Sequence, residues 1–110
     1  MFQRLLWIAA IFCSLSPPLL AAEPELTFEQ HVRPILKKHC FQCHGDEEEH
    51  EAKLDLRLVR LMLAGGESGP ALVAGQAGDS LLLQRIEKGE MPPEGKKLQA
   101  SEMATIRQWI

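Results

Sequence analysis

At 110 residues the chain has room for one domain and no more. Its 12 Lys and Arg stand against 15 Asp and Glu, a net charge of −3 that leaves no basic footprint for nucleic acid. There is no internal repeat, and hydrophobic content is ordinary.

The first residues, Met-Phe-Gln-Arg, form a weakly basic start. Leu5 to Leu15 is an apolar run, and Leu19-Leu20-Ala21-Ala22 supplies small residues before Glu23. This is the pattern of a secretory signal peptide over residues 1–22, with an uncleaved N-terminal anchor as the alternative. Cys13 then belongs to the leader. Without the leader, one base (Arg4) is lost and 11 basic residues face 15 acidic ones, a net charge of −4. A domain over 23–110 is small enough that an ordinary core would be marginal.

Thr27-Phe28-Glu29-Gln30 has the form of a capping box. Phe28, Val32, Ile35 and Leu36 follow at helical spacing on one apolar face. Pro34 inside that pattern predicts a kink or a restart. The helix should run into Cys40-Phe41-Gln42-Cys43-His44 and end at Gly45.

Two cysteines separated by two residues, with a histidine directly after the second, read as a c-type haem attachment site. Each thiol bonds one vinyl group of the porphyrin, a short helical turn spans the two vinyls, and the adjacent imidazole is aimed at the iron. Two other readings compete. Cys40 and Cys43 could form a disulfide or a redox-active thiol pair. With His39, His44 and His50 nearby they could also hold zinc. Neither explains a histidine placed directly after the second cysteine.

Asp46 to Glu51 is an acidic run broken by His50, which reads as a solvated loop; a docking patch for a basic partner is the alternative. Lys53 to Ala64 is Leu-rich, and Leu54, Leu58, Leu61 and Met62 predict a helical stripe closed by Gly65-Gly66. Glu67 to Gly78 reads as a surface loop. Asp79 is the expected N-cap of a helix carrying Leu82, Leu83 and Ile86 and ending near Lys88-Gly89. Met91-Pro92-Pro93-Glu94-Gly95 reads as a stiff loop. A last helix from about Gln99 should carry Met103, Ile106, Trp109 and Ile110 inward. No window alternates cleanly enough to demand a strand, so the expected class is all-α with long loops.

The series FEQHVRPILKKHCFQCHG, AGGESGPALVAG, DSLLLQRI, GEMPPEGKKL and SEMATIRQWI resembles the planctomycete-type cytochrome c domain over about residues 27–110. The resemblance implies a small class I cytochrome c-like helical domain wrapped around one covalently attached haem c. It implies Cys40 and Cys43 as the attachment points, His44 as proximal iron ligand and Met91 as distal ligand. In class I cytochromes c a Gly-Pro loop supplies a backbone carbonyl to the proximal histidine, and Gly69-Pro70 is similar; the Pro70 carbonyl is therefore the expected acceptor for His44 Nδ1. The first and last helices cross in that fold, which predicts contact between Phe28/Val32 and Ile106/Trp109. Two residues depart from the family pattern: Gln99 stands where Thr or Ser usually caps the last helix, and Arg57 where an Asp usually stands. Both are expected to weaken helix starts.

The residues themselves also favour Met91. Met62 and Met103 lie on apolar stripes, where Met commonly fills a core. Met91 precedes Pro92-Pro93, which stiffens the loop and restricts where the thioether points. The expected function is an exported electron-transfer module, on the periplasmic or cell-surface side of the cytoplasmic membrane, serving an unidentified redox partner protein or domain. It would open a larger exported protein, be a fragment of one, or act as a free carrier. Membrane association is expected only if the leader is retained. A haem-based sensor with a weak distal ligand is the alternative, and a Cys/His metal or thiol module the next. Enzymatic activity is not expected, since no distal acid–base pair is visible and His31, His39 and His50 read as surface residues.

Overall fold

The computed structural model describes residues 15–21 and 24–110. Residues 1–14, 22 and 23, and with them Cys13 and most of the expected leader, lie outside the described residues. Residues 15–21 carry no helix or strand, and Leu15, Leu19 and Leu20 are exposed. No helix among the described residues is long and apolar enough to cross a membrane.

The domain is all-α, as expected from its sequence. Four helices carry it: α1 (Arg33–His39), α2 (Val59–Ala64), α3 (Leu81–Glu87) and α4 (Ala100–Trp109). No strand occurs among the described residues, only a single bridge between Gly66 and Gly69.

A wide π-helical turn, Phe28–Val32, leads into α1, and the register tightens to α where Pro34 enters. Proline has no N–H to give the ladder, so a change of register there is the physical form of the expected restart. Thr27 Oγ1 accepts from Gln30 N at 3.3 Å, which is half of the expected capping box. The other half differs: His31 Nδ1, not the Gln30 side chain, accepts from Thr27 N at 2.9 Å.

The core gathers Val32, Ile35, Leu36, Phe41, Leu56, Met62, Leu83 and Ile106. The Phe28–Val32 turn and α3 both pack on α4. Phe28 and Trp109 meet with ring centroids 5.5 Å apart at 41°, while Val32 and Ile106 are fully buried beside them. The predicted contact of first and last helical segments is present.

Three expectations need correction. The Leu-rich stretch is helical only from Val59; Leu54 and Leu58 have extended backbones. The segment is held open by Leu56 N donating to His44 O at 2.9 Å, which ties it alongside the cysteine motif. Its end is as expected: Gly65 caps α2 at φ +76°, a left-handed conformation that favours glycine, with the Gly69 carbonyl packed where a Cβ would stand. Secondly, α3 is preceded by Ser80, not capped by Asp79, which sits in the 3-10 turn Ala77–Asp79. The buried Ser80 hydroxyl instead accepts from Val73 N and donates to Gln76 O, pinning the loop ahead of the helix. Thirdly, Gln99 does not weaken α4. It forms a full capping box with Glu102, whose carboxylate accepts from Gln99 N at 3.0 Å.

Candidate haem site

Helix α1 delivers the motif. Cys40 N bonds Leu36 O at 2.7 Å and His44 N bonds Cys40 O at 2.9 Å, so the chain stays wound through the five motif residues. One turn therefore separates the two cysteines and presents the imidazole on the same side. Phe41, nearly fully buried, anchors the turn from inside, with the Arg33 guanidinium 5.6 Å from its ring centre. Gly45 ends the winding in an extended conformation, under the stem of Arg57.

Two hollows meet at this turn. One, about 280 Å³, is walled by Leu54, Leu56, Leu82 and Ile86 and floored by Cys40 and His44. The other, about 240 Å³, lies between Cys43 and the Pro92-Pro93 loop. Cys40, His44 and Met91 line both. The structure thus brings together four of the five residues singled out from sequence.

The fifth, Pro70, is not among them. His44 Nδ1 lies 3.2 Å from the Leu54 carbonyl, which takes the role expected of Pro70. Pro70 is exposed and lines neither hollow. The turn before it closes on itself, with Gly66 N donating to the Gly69 carbonyl at 3.2 Å, and the Pro70 backbone packs against Gly65.

Met91 reaches the site from the loop after α3. The helix closes at Lys88 and Gly89, and Met91 N returns to Arg85 O at 3.2 Å. The Met91-Pro92 peptide is cis. Pro92 is buried and Met91 is 43 % exposed, so the loop is anchored beside a thioether half in solvent.

Both cysteines are free and half-buried. Burial, with a smaller effect of Cys43, pushes the Cys40 thiol up to about 12. A reactive redox cysteine needs the thiolate, which burial disfavours at Cys40. Two of the three histidines considered for a zinc site are engaged elsewhere. His39 Nε2 is 3.0 Å from Glu102 Oε2, and His50 Nε2 is 3.2 Å from Asp55 Oδ2. Among the described residues no cluster of three metal-ligating side chains forms. Two free thiols one turn apart, an imidazole on the same side, a thioether across the hollow and aliphatic walls do suit a covalently held porphyrin.

Sequence reasoning missed the strap Leu54–Leu56 and the charges that hold it. Asp55 accepts from Arg57 N at 2.9 Å and from Arg57 Nη2 at 2.8 Å, and His50 contacts the same carboxylate. Hydrogen bonding from Arg57, with help from His50, holds the Asp55 carboxyl below the usual range. The signal was present: Lys53-Leu54-Asp55-Leu56-Arg57-Leu58 alternates apolar and charged residues, the period of an extended segment.

A family model described as Planctomycete cytochrome C matches residues 40–95, which begin at Cys40 and run past Met91 to Gly95. No curated protein and no solved structure matches the chain. The matched span covers half of the chain and contains both cysteines, His44 and Met91, and on this ground the chain belongs to the planctomycete cytochrome c family.

Proposed function

We propose that the chain is a one-electron carrier built on a single haem c. Cys40 and Cys43 would hold the macrocycle through thioether bonds, and His44 and Met91 would ligate its iron. The observation that carries this reading is the convergence of Cys40, His44 and Met91 on both hollows at the motif. When bound, the haem supplies the ferric/ferrous couple. The chain's own residues attach it, orient the two ligands and exclude water with Leu54, Leu56, Leu82 and Ile86. Ligation by a His/Met pair would raise the potential and leave the iron no free position, which suits transfer of electrons rather than turnover of a substrate.

The leader over residues 1–22 takes the chain to the outer side of the cytoplasmic membrane, where c-type haem is attached. There it serves another redox protein, or a further domain of a larger exported protein.

Expression in a host with haem-maturation machinery tests the reading. Haem that stays with the polypeptide on denaturation, together with sharp visible bands on reduction, is the expected result. Protein that folds without iron overturns it.

The half-exposed Met91 favours a second reading, a sensor whose distal thioether gives way to a gas. Carbon monoxide separates the two. Resistance of the reduced protein at neutral pH supports the carrier, and rapid binding supports the sensor.

A further inference from the structure

We propose that Asp55 is a positioning residue for the iron-ligating imidazole: by anchoring the Leu54–Leu56 strap to His50 and Arg57, it fixes the Leu54 carbonyl against His44 Nδ1. The inference rests on the proposed ligation by His44.

The Leu54 carbonyl belongs to the same rigid planar unit as the Asp55 N–H, so whatever fixes Asp55 fixes the direction of that oxygen. The far side of Asp55 is fixed as well, because Leu56 N donates to His44 O at 2.9 Å. His44 is therefore gripped twice by one strap, at its backbone carbonyl and, 3.2 Å away, at its ring.

The strap has no regular ladder to hold it: Leu54 and Leu58 are extended, the chain bends at Arg57, and no strand occurs among the described residues. Its rigidity comes from the Asp55 carboxylate, which is only 12 % exposed. Oδ1 accepts from the Arg57 backbone N–H at 2.9 Å, closing a local turn. Oδ2 accepts from Arg57 Nη2 at 2.8 Å and faces His50 Nε2 at 3.2 Å. The Arg57 stem then lies over Gly45, one residue past His44, where an added Cβ would come within 2.8 Å of Arg57 Cγ. The cluster reaches the ligand-bearing turn from three directions: the ring, the backbone carbonyl and Gly45.

An acceptor on the second ring nitrogen fixes tautomer and ring orientation and makes the imidazole a stronger donor to the metal. Loosening the acceptor weakens that donation and favours the ferrous state. The haem-loaded full chain is the test material, with Asp55→Ala, Asp55→Asn and Arg57→Gln compared with wild type. Covalent haem is read first by absorbance under denaturing conditions. Its absence from wild type overturns the proposed function, whereas its presence passes the question to the variants. In Asp55→Ala the reduction equilibrium should shift roughly tenfold toward the ferrous form, which is about 59 mV for one electron, and the paramagnetically shifted His44 ring resonances should move. Asp55→Asn keeps an acceptor for the Arg57 N–H and should retain most of the wild-type ring pattern. Arg57→Gln removes one strut and should give a smaller shift in the same direction; it decides the matter if Asp55→Ala fails to mature. Unmoved ring resonances in Asp55→Ala, or equal potential shifts in the Ala and Asn variants with an unchanged ring pattern, overturn the proposal, because a loss of charge alone would then account for the effect.

Discussion

His39 Nε2 lies 3.0 Å from Glu102 Oε2, joining the residue before the first motif cysteine to the first turn of α4. The same Glu102 side chain accepts from Gln99 N, so a single carboxylate caps the last helix and ties it to α1. Hydrogen bonding from Gln99 N, with His39 adding to it, holds the Glu102 carboxyl below its ordinary value. A group depressed in the folded state stabilises it above the unfolded-state value, and that stability is lost as pH falls through the folded value. Thermal stability of the wild type should therefore decline on acidification below about pH 4.5, more steeply than that of Glu102→Gln. At neutral pH, Glu102→Ala should cost about 1 kcal/mol, the usual worth of a helix cap. Parallel acid profiles for wild type and Glu102→Gln would remove the carboxylate from this role.

The Phe28–Trp109 pair closes the domain end to end. Truncation of Ile106, fully buried, to Ala should cost about 2–5 kcal/mol, the range for a core aliphatic. Trp109→Ala removes an aromatic pair at a half-buried position and should cost less, on the order of 1–2 kcal/mol, with Trp109→Phe recovering part of it. Urea unfolding of the three variants orders them. A Trp109→Ala protein as stable as wild type would make the ring a surface group. Deleting residues 101–110 should lose the fold.

Gly45 and Arg57 should couple. The Gly45 backbone is extended, so alanine meets no conformational penalty there and the cost is steric, from the Arg57 stem. Gly45→Ala alone should destabilise; in an Arg57→Ala background the same change should cost less, with a coupling of about 0.5–3 kcal/mol. Additive effects on the unfolding midpoint would mean that the stem simply moves aside.

Much of this fold was legible because its signals were local. Phe28, Val32, Ile35 and Leu36 announced the first helical segment, Pro34 its change of register, and the CxxCH spacing the site. The placement of Met91 beside the motif was legible from its prolines and from the family pattern together. What failed were choices between equally local options. Leu54 to Leu58 satisfies both helical and alternating spacing, and the tie is broken by the bond from Leu56 N to His44 O, a tertiary contact. Asp79 and Ser80 are both good N-caps, and burial of Ser80 against residues 73–76 decided how each was used. Pro70 was expected from a loop pattern, yet an acceptor for an imidazole can be any backbone carbonyl, and carbonyls leave no mark in a sequence. Gln99 was read as a weak cap, but its partner Glu102 three residues on completes the box.

Distal ligation is the most direct test of the account. Met62 is fully buried in the core, whereas Met91 stands across the hollow from the motif on a proline-anchored loop. The measurement is the ferric absorption spectrum of wild type, Met91→Ala and Met62→Ala, followed by exposure of each reduced protein to carbon monoxide. The sulfur–iron band toward the red end should be present in wild type and Met62→Ala and absent from Met91→Ala, which should keep its covalent haem and bind carbon monoxide. A band that survives in Met91→Ala and vanishes in Met62→Ala would contradict the assignment.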